Sequence, residues 1–495
     1  MQSIVELVYA PRNIWAENAR AAFNEALQQR YPRVQDLRDK KNDEKRFQLR
    51  VNGDMKDGAV PYAALIPPGQ ELSGGYGGMS FVMFPGDDDG TPAMFGMGVG
   101  TNGLAPDEAC LGRPGHARKC AGVAAWLNSR QSGSAWAKRD PVRTDLGLPS
   151  TLGRALQPWS NSRDRYGKVL YATFLPPVRT AETDAIVLDA LTAMIDLFFE
   201  ERDVSPKKEF QADAERLRRA WLNEVLPAVA DNEVVGLLAE RRFVVIEGPP
   251  GTGKSEMAER LLKSQYSDRG HIIQFHPGTT YESFVGGLSA RDGGGALGFT
   301  FRATPGHLMD AAVEARKNPD EPYLLVIDEI NRADLAKVLG EAIYLLEPGR
   351  SERTVTLAYD FPDHGRTLSL PKNLHVLGTM NSADRSIAIL DVAVRRRFAF
   401  VPLWPQLSVV EESKNAGEVL RDAFQALLTV FVEHASDDVL PFMPGHAYFL
   451  GQDDVAKSRL ATGVRPLLEE YLAQGYVAGF ADEVRAYVDR IAQRV

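Results

Sequence analysis

Apolar and polar positions follow two rhythms along this chain. Near the start, Trp15, Ala19, Ala22, Phe23 and Leu27 recur at helical spacing, which predicts a helix with one buried stripe. Between 60 and 103 the period shortens. YAALI, MSFVMF and AMFGMGVG read as short strands separated by PPGQ and PGDDDG turns. From Glu182 to Glu201 an amphipathic helix is predicted, and the polar stretch RDVSPKKEF after it suggests a domain boundary near 205. A second helix, AERLRRAWLNEVLPAV, follows. Strands and helices then alternate in the manner of a parallel α/β sheet, with helices after it. The pattern therefore predicts a small α+β domain over 1–205, an α/β core over 206–403 and a helical region over 404–495.

Chemistry enters at FVVIEGPPGTGKS. Phe243, Val244, Val245 and Ile246 read as a buried parallel strand. Gly248, Pro249, Pro250, Gly251, Thr252, Gly253, Lys254 and Ser255 then complete the phosphate-loop pattern. Glycines let successive N–H groups turn inward around a phosphate, and the loop feeds the positive end of a helix, EMAERLLKS. Lys254 can reach the β- and γ-phosphates, and the Ser255 hydroxyl can ligate Mg²⁺.

Two further strands end in polar residues. YLLVIDEI closes on Asp328 and Glu329, which places both carboxylates at the edge of an open sheet where ligands sit. Asp328 is expected to hold the Mg²⁺ shell, and Glu329 to polarise the attacking water. LHVLGTMN ends at Asn381, whose amide can hydrogen-bond that water. DVAVRRRFAF follows. Its Arg395, Arg396 and Arg397 are read as a helix end that cannot wholly face one nucleotide in cis, so Arg396 and Arg397 become candidates for reaching a neighbouring subunit's site in a ring.

Net charge is −9, against a uniformly basic coat, yet residues 101–180 hold twelve Lys/Arg and five Asp/Glu. Trp126, Trp136, Trp159 and Tyr166 lie among them. Basic side chains interleaved with aromatics suit phosphate neutralisation and base stacking. Arg113, His116, Arg118, Lys119 and Trp126 are the candidate DNA contacts, against the alternative of a solvated basic face over core tryptophans. Cys110 and Cys120 are the only cysteines, and no apolar run nears the ~18 residues of a membrane span, so a cytoplasmic protein is expected.

The ordered set of phosphate loop, IDEINRAD (327–334), GTMNSADRSIAILDVAVRRRFAF (378–400), GHAYF (445–449) and RPLLEEYL (465–472) resembles the McrB branch of the AAA+ family over roughly 230–480. FHPGTTYESFVGGL, RDGGGALGFTFRATPGHL and VTLAYDFPDHGRTLSLPKNL resemble its segment after the second strand and two hairpins. The resemblance implies an AAA+ core with a helical lid and a hexameric ring with nucleotide between subunits. It implies GTP in preference to ATP, and an McrC-like partner nuclease, since no nuclease motif is read in this chain. It assigns Gly248, Gly253, Lys254 and Ser255 to phosphate and Mg²⁺, and Asp328 and Glu329 to hydrolysis. Asn381 with Asp384 match a signature that reads Asn-Thr-Ala-Asp, with Ser382 here in place of Thr. Arg396 and Arg397 match trans-acting arginines. For a lid sensor both His446 and Arg465 remain open. The implied role is the motor of a modification-dependent restriction or anti-phage system whose N-terminal domain reads DNA. The rival is a MoxR-like remodelling ATPase that grips a protein client.

Overall fold

The computed structural model describes residues 1–32, 46–54, 60–70, 78–100, 114–130, 133–138, 150–292, 299–347, 349–350, 352–362, 365–383, 392–413 and 417–493. The chain divides into two compact units, one of residues 1–227 with 429–437, the other of 228–428 with 438–495.

The first unit is built on an antiparallel sheet of six strands in the order β1-β2-β3-β4-β6-β5. These are β1 (Gln48–Asn52), β2 (Tyr62–Ile66), β3 (Met79–Phe84), β4 (Met94–Val99), β5 (Ser134–Ala137) and β6 (Leu170–Leu175). Every residue of β3, β4 and β6 is buried, so the central strands are covered on both faces. That explains why MSFVMF and MFGMGV lack the polar alternation of a half-exposed strand. One face packs against the helices Gln2–Val8, Arg12–Arg30, Pro114–Ser129 and Ala181–Glu200 in the larger core. The other carries a smaller cluster that includes Val60, Ile66, Phe84, Met94, Leu156 and Trp159.

The boundary predicted near 205 moves to 227. The helix Lys208–Val225 buries Leu217 and Trp221 in the core of the first unit, so the polar stretch before it is a surface turn within that unit. Its crossing with Pro114–Ser129 needs Gly122, because a Cβ there would lie 2.5 Å from Val225 Cγ2 and 2.9 Å from Trp221 O.

The second unit holds a five-stranded sheet in the order β15-β7-β14-β11-β8, with every neighbouring pair parallel. Its strands are β7 (Phe243–Gly248), β8 (Gly270–Gln274), β11 (Tyr323–Asp328), β14 (Leu374–Asn381) and β15 (Ala399–Pro402). β7 lies between β15 and β14 while its successor β8 crosses to the far edge, so the strand order switches direction at β7 and opens a crevice at the carboxyl ends there. Apolar cores cover both faces of the sheet. Two hairpins, β9 (Gly286–Asp292) with β10 (Phe299–Pro305) and β12 (Val355–Phe361) with β13 (Gly365–Leu368), stand where the sequence placed them. The helices Asp453–Arg459, Arg465–Ala473 and Ala481–Gln493 follow. No helix of the described residues is long and apolar enough to cross a membrane.

Candidate nucleotide-binding site

Register fixes the site. Asn381 pairs with Gly248, Gly378 with Ile327, and Asp328 with Gln274, so the polar ends of β7, β14, β11 and β8 form one edge. From Gly248 the chain loops to Gly253. Gly251 (φ +80) and Gly253 (φ +78) occupy the left-handed region, which a side chain at either position would strain, and this is how loop amides come to point inward. The Thr252 hydroxyl donates to Pro249 O at 2.9 Å. Lys254 opens the helix Lys254–Gln265, and its buried ammonium donates to Gly248 O at 3.0 Å and Pro249 O at 2.7 Å. A phosphate could take these donors over with little movement of the lysine.

Next to the loop, three hydroxyl and carboxyl side chains are linked. Asp328 Oδ1 accepts from Ser255 Oγ and from Thr379 Oγ1, each at 2.6 Å. Thr379 Oγ1 in turn accepts the Glu329 N–H at 3.0 Å. Glu329 itself sits at φ +53, a backbone conformation rarely held without a compensating role, and its carboxylate pairs with Arg332. Ser255 Oγ and Asp328 Oδ1 supply the two adjacent hard oxygens that Mg²⁺ takes from a protein when phosphates and water supply the rest, so the residues fit the ion. Thr379 is the functional residue the sequence reading missed. Its signal was the two-residue alternation that puts it on the same face of β14 as Asn381.

Asn381 is half-buried at the end of β14, and the Ser382 N–H donates to Gly248 O at 3.0 Å, which ties this corner to the start of the loop. Asp384 lies outside the described residues. The arginines are not a helix end as expected. The helix is the single turn Val392–Arg395, and Arg396 and Arg397 lie in the turn before β15. Arg395 is exposed, stacked 4.4 Å over the Phe400 ring and 3.7 Å from Glu247. Arg396 is exposed too, whereas Arg397 is only 8% exposed.

Of the two lid candidates, His446 is buried beside the phosphate loop, its Nδ1 accepting the Gln406 N–H at 3.2 Å. Arg465 is exposed and binds Glu469 on its own helix at 2.7 Å.

The candidate DNA contacts need correction. His116, Lys119 and Trp126 are buried in the first unit. Lys119 Nζ donates to Glu201 at 3.0 Å and to both Glu433 oxygens at 2.6 and 2.7 Å. His116 Nε2 lies 2.9 Å from Glu201. Burial raises the Glu201 pKa, but His116 and Lys119 outweigh it and hold the carboxyl well below the usual range. The Arg118 guanidinium serves the carbonyls of Val432 and Ala435 and the Asp437 carboxylate at 2.6–2.8 Å. These donors are spent on folding, not on phosphates. Arg113 lies outside the described residues. Lys119→Met should therefore act on stability. The buried Glu201 and the partly buried Glu433 lose their shared cation, which costs about 3–5 kcal/mol. Denaturant unfolding of the full chain reads this, and an unchanged midpoint would refute the structural role.

The comparisons with known proteins agree with the second unit. Residues 243–398 match the AAA domain (dynein-related subfamily). The type IV methyl-directed restriction enzyme EcoKMcrB subunit of Escherichia coli (strain K12) is 31% identical over 274 residues, 50% of this chain and 58% of that one. The type II restriction enzyme BsuMI component YdiS of Bacillus subtilis (strain 168) is 31% identical over 189 residues, 32% of this chain and 55% of its own. The chain thus spans a little over half the length of the curated relatives it matches. With the strand order, the phosphate loop and the Asp328–Glu329 pair already in place, these matches identify the chain as one that carries an McrB-like AAA+ NTPase domain.

Proposed function

We propose that the protein hydrolyses a nucleoside triphosphate with Mg²⁺ and serves as the motor of a restriction or anti-phage system. The observation that carries the reading is the chain of contacts from Ser255 through Asp328 and Thr379 to Glu329, beside a loop whose buried lysine faces its own carbonyls. Lys254 and the loop amides would bind the β- and γ-phosphates. Ser255 and Asp328 would hold Mg²⁺, which neutralises phosphate charge. Glu329 and Asn381 would orient the attacking water.

Assembly into a ring would rest on Arg396, an exposed guanidinium in the turn before β15 that is free to reach a neighbouring subunit. GTP is preferred to ATP from the likeness to McrB, and a separate nuclease would perform cleavage. DNA recognition by the first unit would rest on exposed basic residues, Arg154, Arg165 and Lys168, next to the half-buried Tyr166, and not on the buried set. That burial also favours a second reading, in which the first unit grips a protein client.

Lys254→Ala should weaken triphosphate binding by about 100-fold or more, since it removes charge-assisted hydrogen bonds to phosphate. Fluorescent-nucleotide titration with guanine and adenine forms checks this and gives the base preference. Stimulation of turnover by duplex DNA that falls steeply with salt supports the DNA reading; no DNA binding at low salt supports the client.

A further inference from the structure

Thr379 is buried in the middle of the parallel sheet, on β14 between β7 and β11, with 1% of its surface exposed. The ladder between β11 and β14 ends at the pair Ile327 and Gly378. One residue further along, a side chain takes over from the backbone. Thr379 Oγ1 accepts the Glu329 N–H at 3.0 Å and donates to Asp328 Oδ1 at 2.6 Å. A hydroxyl has one hydrogen, and this one is committed to Asp328, so toward Glu329 the oxygen can only accept. At this depth bulk water cannot replace either bond. Glu329 leaves the strand at φ +53, a left-handed conformation that a residue with a side chain keeps only when its surroundings fix it. The bond from its N–H to Thr379 is such a constraint. Asp328 Oδ1 also accepts from Ser255 Oγ at 2.6 Å, so two hydroxyls converge on one carboxylate oxygen. The carboxylate expected at the metal and the backbone that aims the expected proton acceptor thus share a single anchor.

We propose that Thr379 is a positioning residue for hydrolysis, one hydroxyl that holds the metal ligand Asp328 and the proton acceptor Glu329 in a fixed relation. The inference rests on the hydrolytic reading above and adds to it a residue that acts through two others. Asp328 and Glu329 are neighbours in sequence, but that alone leaves the backbone of Glu329 free to turn. Thr379 closes that freedom. A group that orients a metal's ligand typically carries about 10–100-fold in metal affinity or activity. Here the same hydroxyl serves both residues, so its loss should appear in the metal requirement and in the maximal rate together. A central strand suits the task, because a sheet fixes a side chain more closely than a loop does. Phosphate binding is assigned to Lys254 and the loop amides, so the grip on metal-free nucleotide should not depend on this link.

Two variants separate the hydroxyl from the fold. Thr379→Val keeps the branched shape and puts a methyl group in place of the hydroxyl, whereas Thr379→Ser keeps the hydroxyl and drops the methyl. Three readings are taken on the full chain. Binding of fluorescent, non-hydrolysable GTP and ATP analogues in EDTA should change by less than about threefold in both variants. Titration of the analogue-saturated protein with Mn²⁺, read by electron paramagnetic resonance, should show Thr379→Val weakened about 10–100-fold. Single-turnover hydrolysis at saturating Mg²⁺ should be slower in Thr379→Val by about 10–100-fold. Thr379→Ser should stay within about threefold of the unaltered protein in both. Unchanged metal affinity in Thr379→Val removes Asp328 from the link, and a full rate at saturating Mg²⁺ removes Glu329; either result overturns the proposal. Equal losses in Thr379→Ser mean that the methyl group's packing matters and not the hydroxyl, which refutes it too. So does a loss of metal-free nucleotide binding as large as the loss of metal binding, since that marks a collapsed site. If thermal melting shows that Thr379→Val does not fold, Thr379→Ala is set against Thr379→Ser with the same three readings. Should the unaltered protein bind neither analogue, with or without metal, the nucleotide reading itself falls and this inference with it.

Discussion

Glu329→Gln should bind Mg²⁺ and triphosphate as the unaltered protein does and turn the nucleotide over about 10²–10⁴-fold more slowly, the usual worth of a positioned proton acceptor. The substitution keeps the shape of the side chain and removes only its ability to take a proton from water. The rest of the site should hold. The Glu329 N–H donates to Thr379 through the backbone, and Thr379 donates to Asp328 on the other side. The left-handed backbone at 329 is fixed by β11 ending beside β14, not by the carboxylate. The Arg332 pair can pass to the amide oxygen with its charge uncompensated, and on a surface pair that matters little. Single-turnover hydrolysis beside equilibrium binding separates the two effects. A variant that binds and hydrolyses at the unaltered rate means the base is elsewhere, with Asn381 the next group to test.

What the sequence made legible was whatever short-range pattern dictates. The phosphate loop, the strand ending in Asp328-Glu329 and the strand Leu374–Asn381 are contiguous segments whose chemistry and geometry are written in the same few residues. Contacts made over long sequence separation were not legible. Lys119 looks like a surface cation beside Arg118 and His116, yet its partners are Glu201, 82 positions away, and Glu433, 314 positions away. A buried ion network and a basic face share one composition, and only the fold tells them apart. The same holds for the lid. GHAYF was visible as a motif, but its backbone bonds to Pro250 and Gly251 cross almost two hundred residues. The arginine triplet shows the limit at close range. VAVR does form a helical turn, but β15 must begin at Ala399 to pair with β7, so the helix stops at Arg395 and turns the next two arginines in different directions.

That divergence makes the two arginines distinguishable. Arg396→Ala should lower turnover by about 10³-fold or more with little change in melting temperature, as when a guanidinium reaching a neighbour's γ-phosphate is removed. Arg397→Ala should instead melt earlier, because its side chain is packed within the protomer. Mixing gives the sharper result. In rings of equal parts Arg396→Ala and Lys254→Ala subunits, about a quarter of the interfaces pair an intact loop with an intact Arg396, so turnover should return to about that fraction of the unaltered rate. The same mixture made with Arg397→Ala should show no recovery beyond what the folded Arg397→Ala subunits turn over by themselves, since a residue that works inside its own protomer cannot be lent to another. Recovery with Arg397 and none with Arg396 would reverse the assignment. Recovery with neither would mean that each protomer completes its site alone, and the ring would then have no part in the chemistry.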